Sequence, residues 1–182
     1  MVTNRERALD AAIDVLGTRG LRGLTHRAVD ETAELPPGST SNYFRTRDAL
    51  VAGVVERLVT HDTLDWQRLG QLPAPETVEQ VVDGFVALVH FSLGAGRTRT
   101  LARYALFVEA ASNEPIQDVL RAGRRELVAW ALPLLANVSG GEQECTILMA
   151  YLDGVLFHQC ALATSGFDPR PGIDRLTRAI LG

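Results

Sequence analysis

The sequence predicts an all-α fold of nine helices, and three observations carry that expectation. Apolar residues recur at spacings of three and four, as on one face of a helix, and no segment reads as a strand ladder. Ala, Leu and Val are abundant while aromatics make up 6% of the chain. Helix signals (hydroxyl caps, proline openings, glycine breaks) fall at intervals between the apolar stripes.

The elements follow in order. Thr3 caps the first helix, with Glu6 at the third helical position as a capping box. Its stripe is Leu9, Ala12, Ile13 and Leu16, and Gly20 is the stop. Thr25 caps a short second helix carrying Ala28, Val29 and Ala33. Pro36-Pro37 ends that helix and starts the third. Thr46 caps the fourth, which has Asp48 in its first turn and carries Leu50, Val51, Val54, Val55 and Leu58. A loop at Leu69 to Ala74 follows, and Pro75 opens the fifth helix with Val78, Val81, Val82, Phe85 and Val89. Gly94 to Gly96 breaks the chain before a sixth helix, Thr98 to Ser112. Pro115 opens a seventh that runs to a break near Asn137. Ser139 with Glu142 makes a second capping box for an eighth helix ending near Thr164. Pro169 and Pro171 bracket a loop before the last helix, Ile173 to Leu181.

Composition bounds the function. A chain of 182 residues that is 46% hydrophobic suits one compact domain or a small module on a larger one. Every one of the 18 basic residues is arginine, and the net charge is −4. Residues 1–47 hold seven Arg against six acids, and residues 48–182 eleven against sixteen, so a basic patch has to be built by placement. Cys145 and Cys160 match neither a zinc site nor a disulfide framework and read as buried thiols. The polar N-terminus does not read as a signal peptide, and no apolar run reaches the roughly 18 residues of a membrane span, so a cytoplasmic protein is expected. No Gly-rich phosphate loop, GxSxG or HExxH is present, and His61, His90 and His158 lack ligands at chelating spacing. No cofactor, no metal and no enzymatic role are expected.

The third helix is the informative element. Ser39, Thr40, Ser41 and Asn42 bury almost nothing, yet they sit between a capped helix and a longer one. Small hydroxyl and amide side chains suit contact with phosphates and base edges in a DNA groove. A short helix, a tight turn and a second helix, preceded by a supporting one, make a helix-turn-helix.

On Ala8-Leu9, Ala11-Ala12, Leu16, Gly20, Leu24-Thr25, Val29, Ala33, Gly38-Ser39, Tyr43-Phe44, Arg47 and Leu50, the first ~60 residues resemble the TetR family of transcriptional regulators. The version here resembles a subgroup with a Pro-Pro-Gly-Ser-Thr-Ser-Asn-Tyr-Phe recognition helix. It departs from the usual pattern at Glu34, where the family has Gly, and at Thr40 and Ser41, where it often has Leu and Tyr. The resemblance implies a DNA-binding domain at 1–47 and an effector-binding and dimerisation domain at 48–182. It implies that Thr25 binds phosphate while capping, that Arg27 faces the groove, and that Ser39, Thr40, Ser41 and Asn42 face DNA. Tyr43 and Arg47 would hold the backbone, with Phe44 in the core.

For the larger part the resemblance implies a homodimer and a small-molecule effector. The expected dimer surface is Leu148, Leu152, Val155, Leu156 and Gln159 on the eighth helix with Ile173, Leu176 and Ile180 on the ninth, helped by small Ala150, Gly154, Ala161 and Ala163. The expected pocket draws on Trp66, Phe85, Phe91, Tyr104 and Phe107, together with Trp130, Tyr151 and Phe157. His90, Glu109, Asn113 and Asp153 are the candidate polar anchors, and Glu109 stands out within an apolar stretch. The expectation is a repressor on a palindromic double-stranded operator. The alternatives are a regulator without an effector, or an all-α enzyme or carrier on the same fold.

Overall fold

The computed structural model describes residues 2–69 and 73–182, and side chains outside 66–69. Among the described residues it has nine α-helices, one 3-10 turn and no strand. They are α1 Asn4–Gly23, α2 His26–Thr32, α3 Ser39–Tyr43, α4 Arg47–Leu69, α5 Val78–Leu93, α6 Arg97–Ala110, α7 Glu114–Leu135, α8 Glu142–Leu162 and α9 Arg170–Leu181, with the 3-10 turn at Ala136–Val138.

Most start signals act as expected. The Thr3 hydroxyl accepts from the Glu6 N–H at 3.2 Å while the Glu6 carboxylate accepts from the Thr3 N–H at 2.8 Å. Thr25 and Thr46 each accept from a backbone N–H three residues on, at 3.1 Å. Gly20, at φ 66°, interrupts the end of α1. Four expectations need correction. Pro36-Pro37 lies in the turn, and α3 starts at Ser39 behind Gly38, whose φ of 89° a side chain would strain. Helix α5 opens on a Thr77–Gln80 capping box rather than at Pro75, because Thr77 offers the hydroxyl that a proline lacks. Ser139 sits in the left-handed region after the 3-10 turn and cannot cap α8; Gly141 takes that place and gives its N–H to Glu144 at 3.0 Å. Helix α9 begins at Arg170, because Pro171 fits the first turn, where its missing N–H costs nothing. The expected loop at Leu69 to Ala74 falls partly outside the described residues.

The chain divides into two compact units, Met1–Leu64 with Arg97–Gly123, and Asp65–Gly96 with Arg124–Gly182. In the first, α1 packs on α2, α3 and α6. Its core joins Leu9, Ile13 and Leu16 of α1 to Val29, Phe44, Leu50, Val54 and Leu106. Polar latches tie α1 to α4. Arg57 donates to both oxygens of Asp10 at 2.7 and 2.8 Å, and the His61 Nε2 lies 2.7 Å from Asp10 Oδ1. Burial pushes the Asp10 carboxyl up, but the hydrogen bonds from Arg57 and His61 outweigh it and hold it below its ordinary 3.8. A depressed folded-state carboxyl stabilises above its unfolded pKa, and that contribution is lost as the pH falls through the folded value. Asp10→Asn is therefore less stable than the wild type at neutral pH, and the gap closes as the pH drops below about 4. Urea unfolding at a series of pH values checks this, and a pH-independent gap contradicts it.

In the second unit α5 packs against α8 and α9. The core gathers Val81, Ala131, Leu135, Cys145, Leu148 and Leu181, with Phe85, Trp130, Leu176 and Ile180 at its edge. Arg170 and Arg178 of α9 pair with Glu79 and Asp83 at the start of α5. The Thr177 hydroxyl is fully buried on α9 and, among the described residues, has no hydrogen-bond partner. An unsatisfied buried hydroxyl costs about 1–3 kcal/mol, so Thr177→Val raises stability by about 1 kcal/mol. A thermal melt showing a lower midpoint for the variant runs against that expectation.

Helix α8 is long and apolar enough, by length and composition, to cross a membrane, although no run of that kind was expected from the sequence. Its Cys145, Leu148, Leu152 and Leu156 face packs inside this unit. Of the expected dimer surface, Leu148, Leu152, Leu156 and Ile173 are buried within their own chain. Val155, Leu176 and Ile180 are half-buried, and the Gln159 amide bonds the Thr164 backbone at the end of α8. The outward face of α8 carries Ile147 and Phe157, 42% and 45% exposed, with small Ala150, Gly154 and Ala161 between and beyond them.

Candidate nucleic-acid interface

Three short pieces of chain build one polar surface in the first unit. Helix α2 exists because Thr25 caps it and Ala28 and Val29 bury one side. It ends at Thr32 with Ala33 as its cap, and Glu34 takes the left-handed conformation (φ 52°) that the turn requires. Leu35 is buried beneath the turn, which then passes the exposed Pro36-Pro37. Helix α3 follows for five residues and closes on Phe44, which is buried in the core with the Arg5 guanidinium over its ring at 5.1 Å.

Thr25 is exposed even as it caps α2. The Arg27 side chain is 89% exposed and forms an ion pair with Glu31 on the same helix at 2.8 Å. Ser41, Asn42 and Tyr43 are exposed, and Ser39 is half-exposed. Ser39 and Ser41 turn their hydroxyls back to the carbonyls of Pro36 and Gly38, at 2.6 and 2.8 Å. Tyr43 is 45% exposed and stands edge-on to Phe44. Arg47 is exposed and donates to the Leu21 carbonyl at 2.9 Å, which ties the start of α4 to the last turn of α1.

Thr40 is a correction. It is wholly buried, its hydroxyl donates to Asp30, and it cannot share the outward face of α3. The reason is helical spacing: in a helix this short the position after Ser39 turns inward onto α2.

Sequence reasoning missed two residues of α2. The Asp30 carboxylate is 5% exposed and accepts from the backbone N–H groups of Gly38 and Thr40, both at 2.8 Å. Burial pushes its carboxyl up, but the hydrogen bonds from Thr40 and Gly38 prevail and keep it below 3.8. His26 Nε2 lies 2.6 Å from the Phe44 carbonyl and therefore donates to it. A signal for Asp30 was present: a carboxylate inside the buried stripe of a seven-residue helix needs donors nearby.

The effector candidates are dispersed. Tyr104 is buried and stacks edge-on with exposed Phe107, at 5.9 Å between centroids. Phe85 and Trp130 pack against the second unit's core, Tyr151 places its hydroxyl beside Gly172, and Asp153 pairs with Arg124 at 3.1 Å. Phe91, Phe157 and His90 are exposed, and the side chain of Trp66 lies outside the described residues. Glu109 and Asn113 do meet in a cleft of about 100 Å³, where Asp48, Val51, Val55 and Ile116 also line the wall. Burial pushes the Cys145 thiol up, which suits a structural thiol.

Residues 76–182 match the family described as the tetracycline-repressor-like C-terminal domain. No curated protein matches the chain. Among solved structures, the multidrug binding protein EbrR complexed with ethidium is 24% identical, each chain covering 99% of the other, with a TM-score of 0.76. A member of the TetR family from Streptomyces coelicolor A3 is 25% identical over 98% of each chain, with a TM-score of 0.73. A TetR-family transcriptional regulator from Rhodococcus sp. is 18% identical over the full length of both, with a TM-score of 0.75.

Proposed function

Because the chain belongs to the TetR family, we propose that it is a DNA-binding transcriptional repressor, and not an enzyme, whose homodimer grips a palindromic operator and is released by a small molecule. The observation that carries this reading is the outward face of α2 and α3. Thr25, Arg27, Ser41, Asn42 and Tyr43 are polar and exposed, and Ser39 is half-exposed beside them. In this reading Arg27 bonds bidentately to guanine, Asn42 to adenine or phosphate, and Thr25, Tyr43 and Arg47 to the backbone. Residues 1–47 then form the reading module, and 48–182 the body that pairs and senses.

Pairing brings two reading modules to half-sites one turn apart. The outward strip of α8, with Ile147, Ala150, Gly154 and Phe157, supports pairing there, together with half-buried Val155, Leu176 and Ile180 at its flank. EbrR has been solved with ethidium, proflavin and malachite green. For this chain we propose an aromatic effector of that kind, with Glu109, which lines a cleft of the first unit, as a counter-charge. Such a ligand acts only by binding one conformation more tightly than the other. The proposed place of action is the cytoplasm.

Selection of bound fragments from the parent genome tests the reading. Recovery of a shared palindrome, released on addition of proflavin or ethidium, supports both halves. Recovery of random fragments, with a salt dependence but no shared sequence, defeats the first.

A further inference from the structure

We infer that Asp30 and His26 are positioning residues, a clamp on α2 that grips α3 at both ends and sets the angle at which Ser41, Asn42 and Tyr43 meet the groove. The inference rests on the DNA-binding reading. A five-residue helix has little stability of its own, because nucleation orders several residues for one or two hydrogen bonds. Its first N–H groups also lack partners within the helix. The usual remedy is a side-chain cap, yet the capping position is Gly38, which has none. Asp30 supplies the cap from another helix. One oxygen takes the Gly38 N–H, and the other takes both the N–H and the hydroxyl of Thr40. A carboxylate at the positive end of a helix is the favourable sign.

At the other end, His26 donates to the carbonyl of Phe44, the residue that closes α3. His26 and Asp30 are four residues apart, one turn of α2, and so project from the same face. Asp30 does not itself attract DNA: it is an anion, buried, on a surface that must approach phosphates. Its effect is on geometry. Backbone contacts tolerate a loose α3, whereas base contacts do not, so the clamp governs the ratio of specific to non-specific binding.

Asp30→Asn sets an amide N–H against the Gly38 N–H, and Thr40→Val removes one donor while keeping the shape. Both are made in the full chain and compared with the wild type by thermal melt, by anisotropy on the selected duplex and a scrambled one, and by NMR exchange of the Thr40 amide. Each variant is expected to stay folded and to lose about tenfold or more in affinity for the selected duplex. Affinity for the scrambled duplex and the salt slope stay within about twofold, and Thr40 exchange accelerates. A folded variant that keeps its affinity and its Thr40 protection overturns the clamp. So does an equal loss on both duplexes in step with a lower folded fraction. If the wild type prefers no duplex, the DNA-binding reading fails instead, and the amide exchange alone decides the clamp.

Discussion

Arg27→Ala binds the operator about tenfold or more weakly than the wild type while melting at the same temperature, since a bidentate arginine contact contributes roughly 1–3 kcal/mol of discrimination. The melt should not move because the side chain is solvated and its Glu31 partner is an exposed neighbour on the same helix. Tyr43→Ala behaves alike in affinity but differently in kind. A backbone contact holds every duplex, so its loss weakens selected and scrambled DNA together, whereas the loss at Arg27 falls on the selected sequence. Tyr43 is also an edge partner of Phe44, so a small drop in the melt accompanies its removal. Anisotropy titrations at several salt concentrations separate the two. Unchanged affinity in both variants removes these residues from the interface.

Gly17→Ala gives the largest loss of stability. A Cβ on Gly17 would sit 2.2 Å from the Thr98 carbonyl oxygen and 2.8 Å from its Cγ2. Alanine is the better helix former by about 1 kcal/mol, which argues for stabilisation. Here the opposing atom is backbone, so α1 and α6 have to move apart, and overpacking of that kind costs about 1–3 kcal/mol beyond the propensity gain. Helix α6 is the main support of α1 outside the reading module. A fall in the thermal midpoint of about 5 °C is expected. A midpoint at or above that of the wild type contradicts a close backbone approach of α6 to Gly17.

Much of the fold could be read from local chemistry. Thr3, Thr25 and Thr46 each cap as their positions imply, because a cap depends on residues within three positions of itself. The errors came where two local signals competed. Ser139 and Glu142 spell a capping box, but a 3-10 turn carries Ser139 into the left-handed region and hands the start of α8 to Gly141. Pro171 reads as a breaker, yet serves as the first turn of α9.

The polar face of α3 was legible as a set, and Thr40 was its one inward member, because burial depends on where α2 lies and not on residue type. The role of Asp30 is hidden for the same reason, its donors being eight and ten residues away. On α8 the Leu148, Leu152 and Leu156 stripe was correctly an apolar face. Periodicity alone does not say whether such a face meets its own chain or another, and here it meets its own.

Hydroxyl-radical footprinting of the wild-type protein on its selected duplex is the sharpest test that α2 and α3 read DNA. Two protected patches about ten base pairs apart, both lost with Arg27→Ala at a concentration that saturates the wild type, are the predicted result. No protection on any fragment, or protection that Arg27→Ala leaves in place, contradicts it.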